Sequence, residues 1–196
     1  YLTVGGNAFL LDEPQRTNLV TFSNNFTNST KNLQNLTTTI NAAISPDGTS
    51  NASKIVANTT NTSHRLTNDI SIIAGNIYAF SIFAKKSELN FLQLVPPSSS
   101  FGSAFVNFDL TNGVVGSVSA SNILTTKIEE IKDGFFKCSF TSSAFASSSS
   151  DISVVLIQSA TAPRLQSFAG NNINGIFIYG LQIEIGAQAS SYIPTA

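Results

Sequence analysis

His64 is the chain's only histidine and Cys138 its only cysteine, so nucleophilic and metal chemistry have few places to start. His64 lies in Thr62-Ser63-His64-Arg65-Leu66. A serine nucleophile needs a histidine base and an orienting carboxylate, and a common frame for it is the Gly-x-Ser-x-Gly elbow. No such elbow occurs, and His64 reads as an ordinary strand or loop histidine. Cys138 sits in the apolar run Gly134-Phe135-Phe136-Lys137-Cys138-Ser139-Phe140 and reads as a small buried side chain rather than a nucleophile. Glycoside hydrolysis needs two facing carboxyl groups. Glu129 and Glu130 are adjacent, so on a strand they point to opposite faces. One histidine and one cysteine fall short of the usual His/Cys set of a zinc site, so no zinc is expected. The expectation is a protein that is not an enzyme.

Saccharide recognition is the chemistry these residue types suit better. Sugars are held by ring stacking and by amide and hydroxyl hydrogen bonds. Strict alternation along the last long apolar run puts Phe177, Tyr179, Leu181 and Ile183 on one face, and Ile178, Gly180, Gln182 and Glu184 on the other. Gln182 is then the polar residue best placed in a groove, with Tyr78, Gln93, Asn107 and Tyr179 as companions. The same tyrosines could instead complete the core, and both readings stand on the sequence. Six Asn-x-Ser/Thr sequons, at Asn25, Asn28, Asn35, Asn51, Asn58 and Asn61, are read as chance matches in a chain rich in Asn and Thr.

These residues must be positioned by strands. Runs such as Asn76-Ile77-Tyr78-Ala79-Phe80-Ser81-Ile82-Phe83-Ala84, Phe91-Leu92-Gln93-Leu94-Val95 and Ile152-Ser153-Val154-Val155-Leu156-Ile157 are β-branched or aromatic, and no helical period competes with them. Pro46-Asp47-Gly48, Gly75-Asn76, Asn112-Gly113 and Asp133-Gly134 supply turns between them. The reading is all-β: an antiparallel β-sandwich (jelly roll) of about ten or eleven strands. Residues 1–17 form an irregular N-terminal arm, and residues 18–196 the domain. Ser-rich patches at 96–100 and 147–150 are surface loops. A chain that starts at Tyr1 and holds no methionine is expected to be part of a longer protein.

Composition narrows the partners. Apolar residues make up 42%, enough for a real core, while charged residues are only 11% and the net charge is −1. Phosphate backbones demand a basic footprint. Lys85-Lys86 is the only adjacent pair of lysines or arginines, so no nucleic-acid partner is expected. No stretch approaches the ~20 apolar residues of a membrane span, so no membrane insertion is expected. A single cysteine excludes an internal disulfide.

Several segments taken together resemble a known module. They are Asp12-Glu13-Pro14-Gln15-Arg16-Thr17-Asn18-Leu19-Val20, Ser45-Pro46-Asp47-Gly48, the run from Asn76 to Lys85, Phe108-Asp109-Leu110-Thr111-Asn112-Gly113, Asp133-Gly134-Phe135-Phe136-Lys137-Cys138, Gly180-Leu181-Gln182-Ile183-Glu184-Ile185-Gly186 and Ser191-Tyr192-Ile193-Pro194-Thr195. In this order they resemble a jelly-roll module of tailed-bacteriophage virion proteins, related to the family 4 and 9 carbohydrate-binding modules. The resemblance implies a non-enzymatic fibre, spike or capsid-decoration domain on the virion surface. It implies other copies of the chain as partners, with a homotrimer favoured, and other virion proteins and host surface glycan beside them. It implies no organic cofactor. A structural calcium is common in the related modules, and Asp12, Glu13 and Glu184 are its candidate ligands here. The alternative for Asp12 and Glu13 is that they stay solvated. The alternative for Glu184 is that it pairs with Arg16 or a backbone donor. Relatives carry tryptophan where this chain has Phe135-Phe136 and Tyr179, and there is no Trp at all, which weakens any stacking platform. A purely structural head or tail protein, and a carbohydrate-binding module of a secreted polysaccharide-degrading enzyme, remain the alternatives.

Overall fold

The computed structural model describes residues 2–4, 7–9, 15–119 and 122–196. Backbone strands β1 (Leu2–Val4) and β2 (Asn7–Phe9) pair only with each other. The sandwich is built from β3 (Lys31–Gln34), β4 (Leu36–Ala43), β5 (Ala52–Ala57), β6 (Asn61–Ile72), β7 (Ile77–Lys86), β8 (Phe91–Val95), β9 (Phe105–Asp109) and β10 (Val114–Ser119). It continues with β11 (Ile123–Lys132), β12 (Phe135–Ser143), β13 (Ser148–Ile157), β14 (Ser167–Ala169) and β15 (Gly175–Ile185). One helical turn, α1 (Ser98–Phe101), lies between β8 and β9. Among the described residues no helix is long and apolar enough to cross a membrane.

Two antiparallel sheets face each other. The seven-stranded sheet runs β10-β9-β8-β13-β6-β14, with β3 also on β6; the six-stranded sheet runs β11-β12-β7-β15-β5-β4. The fold class is the expected β-sandwich, with more strands than the ten or eleven read from the sequence. The longest of the additional ones is polar. β6 reads Asn-Thr-Ser-His-Arg-Leu-Thr-Asn-Asp-Ile-Ser-Ile and lacks an apolar run, yet Leu66, Ile70 and Ile72 enter the core.

The core fills from alternate positions. Phe80 of β7 stacks on Phe140 of β12 with centroids 4.6 Å apart, and Phe101 meets Phe80 edge-on at 5.4 Å. Each fully buried side chain of this size contributes about 1.5–3 kcal/mol. Cys138 is buried among them, and burial pushes its thiol well up from the ordinary range, as expected of an inert core cysteine. Turn chemistry agrees with the sequence. Asp133 (φ 53°) and Gly134 (φ 79°) both take positive φ between β11 and β12, the requirement of a tight hairpin whose twist matches its strands.

β15 does not keep one alternation along its length. Its register against β7 shifts between Tyr179 and Gln182, and Gly180 takes φ +60°. This is a β-bulge, and one extra residue flips every later side chain to the other face. Ile176, Ile178, Leu181 and Ile183 therefore all enter the core. Phe177, Tyr179, Gln182 and Glu184 share the outer face. Simple alternation had placed Tyr179 and Gln182 on opposite faces; the bulge corrects this.

Candidate functional site

The outer face of the six-stranded sheet gathers most of the chemistry. Phe83 of β7, Phe135 of β12 and Tyr179 and Phe177 of β15 form an aromatic patch there, with Tyr192 of the C-terminal segment packed on it. The Tyr192 ring lies 5.2 Å from Tyr179 and 6.1 Å from Phe83, edge-on to both. A Cβ at position 180 would come within 3.0 Å of that ring, so the glycine that makes the bulge also admits the tyrosine. The Tyr192 hydroxyl shares a 2.7 Å hydrogen bond with Ser23 Oγ. The patch that could have been a sugar platform is thus covered by the chain's own tail.

Tyr179 closes a second network. Its hydroxyl donates to Asp47 Oδ2 at 2.9 Å. Asp47 also accepts from Ser45 Oγ, the Thr49 amide and hydroxyl, and Asn51 Nδ2, at 2.7–2.9 Å. Burial alone would raise the Asp47 carboxyl, but these donors outweigh it and hold it well below the usual carboxylate range. Burial, and then Asp47 itself, push the Tyr179 phenol up. The Pro-Asp-Gly loop is therefore a brace for Tyr179.

The two chain ends are clasped through buried polar side chains. Asn18 Oδ1 accepts from the amides of Val20 and Ile183 at 3.1 Å each, and its Nδ2 donates to the carbonyls of Leu181 and Ile193 at 3.2 and 3.0 Å. Gln182 Oε1 accepts from the Ile193 amide at 2.7 Å, and its Nε2 donates to Glu184 Oε1 at 3.0 Å. Glu184, 0% exposed, also takes the Ser190 amide and hydroxyl at 2.7 Å each. Thr195 and Ser23 exchange hydrogen bonds at 3.0 and 3.1 Å. Arg16 donates to the Ile185 carbonyl.

These contacts place each expected residue. Glu184 is satisfied by protein donors, one of them a backbone amide, and not by Arg16. Asp12 and Glu13 lie outside the described residues. Among the described residues no group of three or more His, Cys, Asp or Glu side chains could hold a metal. Tyr78 is buried, accepts from the Ile73 amide at 2.8 Å and packs edge-on against Phe101. Gln93 and Asn107 sit on the other sheet. There Gln93 Nε2 donates to Asn107 Oδ1 at 2.7 Å, Gln93 Oε1 accepts from the Leu165 amide, and Asn107 Nδ2 donates to the carbonyls of Ala160 and Ala162. The pair pins the 158–166 loop to the seven-stranded sheet. Tyr179 and Gln182 are therefore brought onto one face, while Tyr78, Gln93 and Asn107 point elsewhere. All five side chains are buried. His64 is buried too, with its ring nitrogens against the carbonyls of Asn35 and Phe168.

What stays open is a cleft of about 370 Å³ with a mixed polar and apolar lining beside the covered patch, over β11 and β12, walled by Ala187, Gln188 and Ala189. Thr125, Lys127 and Glu129 of β11 and Lys137, Ser139 and Thr141 of β12 line it. Lys127 pairs with Glu129 at 2.7 Å, and Thr125 shares a 2.7 Å hydrogen bond with Thr141. Lys137 donates to the Ser190 carbonyl, which ties the wall to the floor. This cleft was not among the expected sites, although β11 and β12 each alternate polar residues in the sequence. A second cleft, about 520 Å³, lies at one end of the sandwich with Lys85, Lys86, Asn112 and Phe136 in its lining.

On the outer face of the seven-stranded sheet, Asp69 of β6 stands directly opposite Asp151 of β13. A hydrogen bond with Asp69, then burial and the Asp69 charge, push the Asp151 carboxyl up to about 6, against opposing contributions from Thr67 and Arg65. A folded-state value above the unfolded ~3.9 means that the stabilising contribution exists below about pH 4 and is lost as pH rises through about 6. Asp151→Asn is therefore expected to raise the thermal midpoint near pH 8 and to change it little near pH 4. A difference that stays flat between the two would contradict the pairing.

No family model matches the chain, and no curated protein does. A solved structure similar to it is the crystal structure of the enzymatically active domain of tailspike protein 4 from bacteriophage CBA120. The TM-score is 0.48 at 16% identity, and the match covers 86% of this chain and 21% of that one. This chain thus spans about a fifth of that structure's length.

Proposed function

We propose that this chain is a non-enzymatic surface module of a tailed-phage virion, a fibre, spike or head decoration, that contacts saccharide through the cleft over β11 and β12. The observation that carries the saccharide reading is the composition of that cleft. Hydroxyls from Thr125, Ser139 and Thr141 and charged heads from Lys127, Glu129 and Lys137 converge there under a wall from residues 187–189. This donor and acceptor set suits sugar hydroxyls. The virion assignment rests on the ordered set of sequence motifs. Assembly with other copies, as a trimer, belongs to the same proposal.

The covered aromatic patch favours a second reading, a purely structural module that binds no sugar, because Tyr192 occupies the place where a ring would stack. It weighs against a carbohydrate-binding module of a secreted enzyme for the same reason. The test is a screen of the purified domain against bacterial surface polysaccharides, with the assembly mass measured in the same buffer. Saturable binding that weakens about tenfold, or ~1.4 kcal/mol, in Lys127→Ala or Thr125→Ala supports the saccharide reading. A well-folded assembly that binds none of them supports the structural one.

A further inference from the structure

Lys31 opens β3 and stands directly opposite Asn68 of β6. Both side chains are buried, 7% and 2% exposed. Lys31 Nζ donates to Asn68 Oδ1 at 2.6 Å and to the Thr21 carbonyl at 2.7 Å. Asn68 Nδ2 donates to the Asp69 carbonyl at 2.7 Å.

The arrangement is unusual for a lysine. A buried ammonium is costly unless it is paired with an opposite charge. Among the described residues the ion pairs are Lys54 with Glu88, Lys127 with Glu129 and Lys132 with Asp133, so no carboxylate compensates Lys31. Burial pushes the Lys31 amine down to about 8, which brings the neutral form within reach near physiological pH. A protonated amine carries three N–H donors. A neutral one carries two donors and a lone pair, and the two hydrogen bonds to Asn68 and Thr21 use both donors. The lone pair is then free beside the carboxamide.

We propose that Lys31 and Asn68 are the two halves of an intramolecular amide cross-link between β3 and β6. The Nζ lone pair adds to Asn68 Cγ and forms the new Nζ–Cγ bond. A proton from Nζ passes to Nδ2, the Cγ–Nδ2 bond breaks, and the nitrogen leaves as ammonia. A primary amine and a primary amide thus become one secondary amide and ammonia, with no change of oxidation state and no co-reactant. Among the described residues no carboxyl side chain hydrogen-bonds either group, so the step is expected to accumulate slowly after folding. Its product would tie the segment that carries Asn18 and Ser23 to the sandwich, closing the loop between residues 31 and 68 against unfolding. The proposal does not depend on the saccharide reading.

The test is the intact mass of the purified wild-type chain, fresh and after prolonged incubation at about pH 9, above the depressed lysine value and below the usual ~10.4. The expected result is a growing species lighter by one ammonia. A proteolytic digest should then yield a branched peptide that joins the Lys31 and Asn68 segments. Lys31→Arg should abolish both. Cyclisation of an asparagine onto its own backbone also releases ammonia, but it gives a linear peptide and survives in Lys31→Arg; that outcome overturns the proposal. An unchanged wild-type mass overturns it as well, and needs no variant to fold.

Discussion

Asn18→Ala is expected to destabilise the domain by about 3–5 kcal/mol, measured as a shift in the denaturant midpoint at constant slope. Asn18 is a single side chain with four hydrogen bonds, to Val20, Ile183, Leu181 and Ile193. Two of these reach β15, and one reaches the tail. Alanine leaves two buried amides, the buried Leu181 carbonyl and the part-buried Ile193 carbonyl without their partner, and each buried unsatisfied group costs about 1–3 kcal/mol before local relaxation or water entry. Asn18→Asp keeps the acceptor but sets a buried carboxylate against the Leu181 and Ile193 carbonyls, so near neutral pH its loss should be at least that of alanine. A loss below about 1 kcal/mol in the alanine variant would mean that the chain ends are held together by something other than this clasp.

Gly180→Ala is the second large effect, about 2–4 kcal/mol. Two costs combine there. A non-glycine residue at φ +60° pays the left-handed penalty, about 1–2 kcal/mol, and the new Cβ meets the Tyr192 ring at 3.0 Å. Gly48 separates the two costs, since it has φ +90° with nothing within 4 Å. Gly48→Ala should therefore show the backbone penalty alone. In a Tyr192→Ala background the cost of Gly180→Ala should fall toward the Gly48 value. If it does not, the bulge and not the ring contact accounts for the whole effect. The same variants probe function, because a displaced Tyr192 would uncover Tyr179 and Phe83.

The sandwich was legible because β7, β8, β13 and β15 announce themselves by apolar runs and because Asp133-Gly134 and Asn112-Gly113 name their turns. β6 was not, since its inward residues are separated by Ser, Arg, Thr and Asp that serve the outer face. The bulge was hidden for a different reason. Gly180 sits inside a perfect alternation, and only the register with β7 shows that the phase slips there. The side chains of the family-like motifs are engaged within the fold. Asp47 braces Tyr179, Asp109 caps its turn by accepting from the Thr111 and Asn112 amides at 2.8 and 3.0 Å, and Asn18, Gln182, Tyr192 and Thr195 close the chain ends. In this chain these side chains serve the fold. The cleft residues Thr125, Lys127 and Ser139 belong to none of these motifs, and the wall at residues 187–189 depends on where the tail turns after β15, which no local pattern specifies.

The most direct test of the account is amide chemical-shift mapping of the domain titrated with bacterial surface polysaccharide fragments. The expected result is saturable shifts confined to β11, β12 and residues 187–191, with the amides around Tyr78, Gln93 and Asn107 unmoved. Shifts centred instead on the Lys85–Lys86 cleft, or no saturable shift with any fragment, would contradict a saccharide site over β11 and β12.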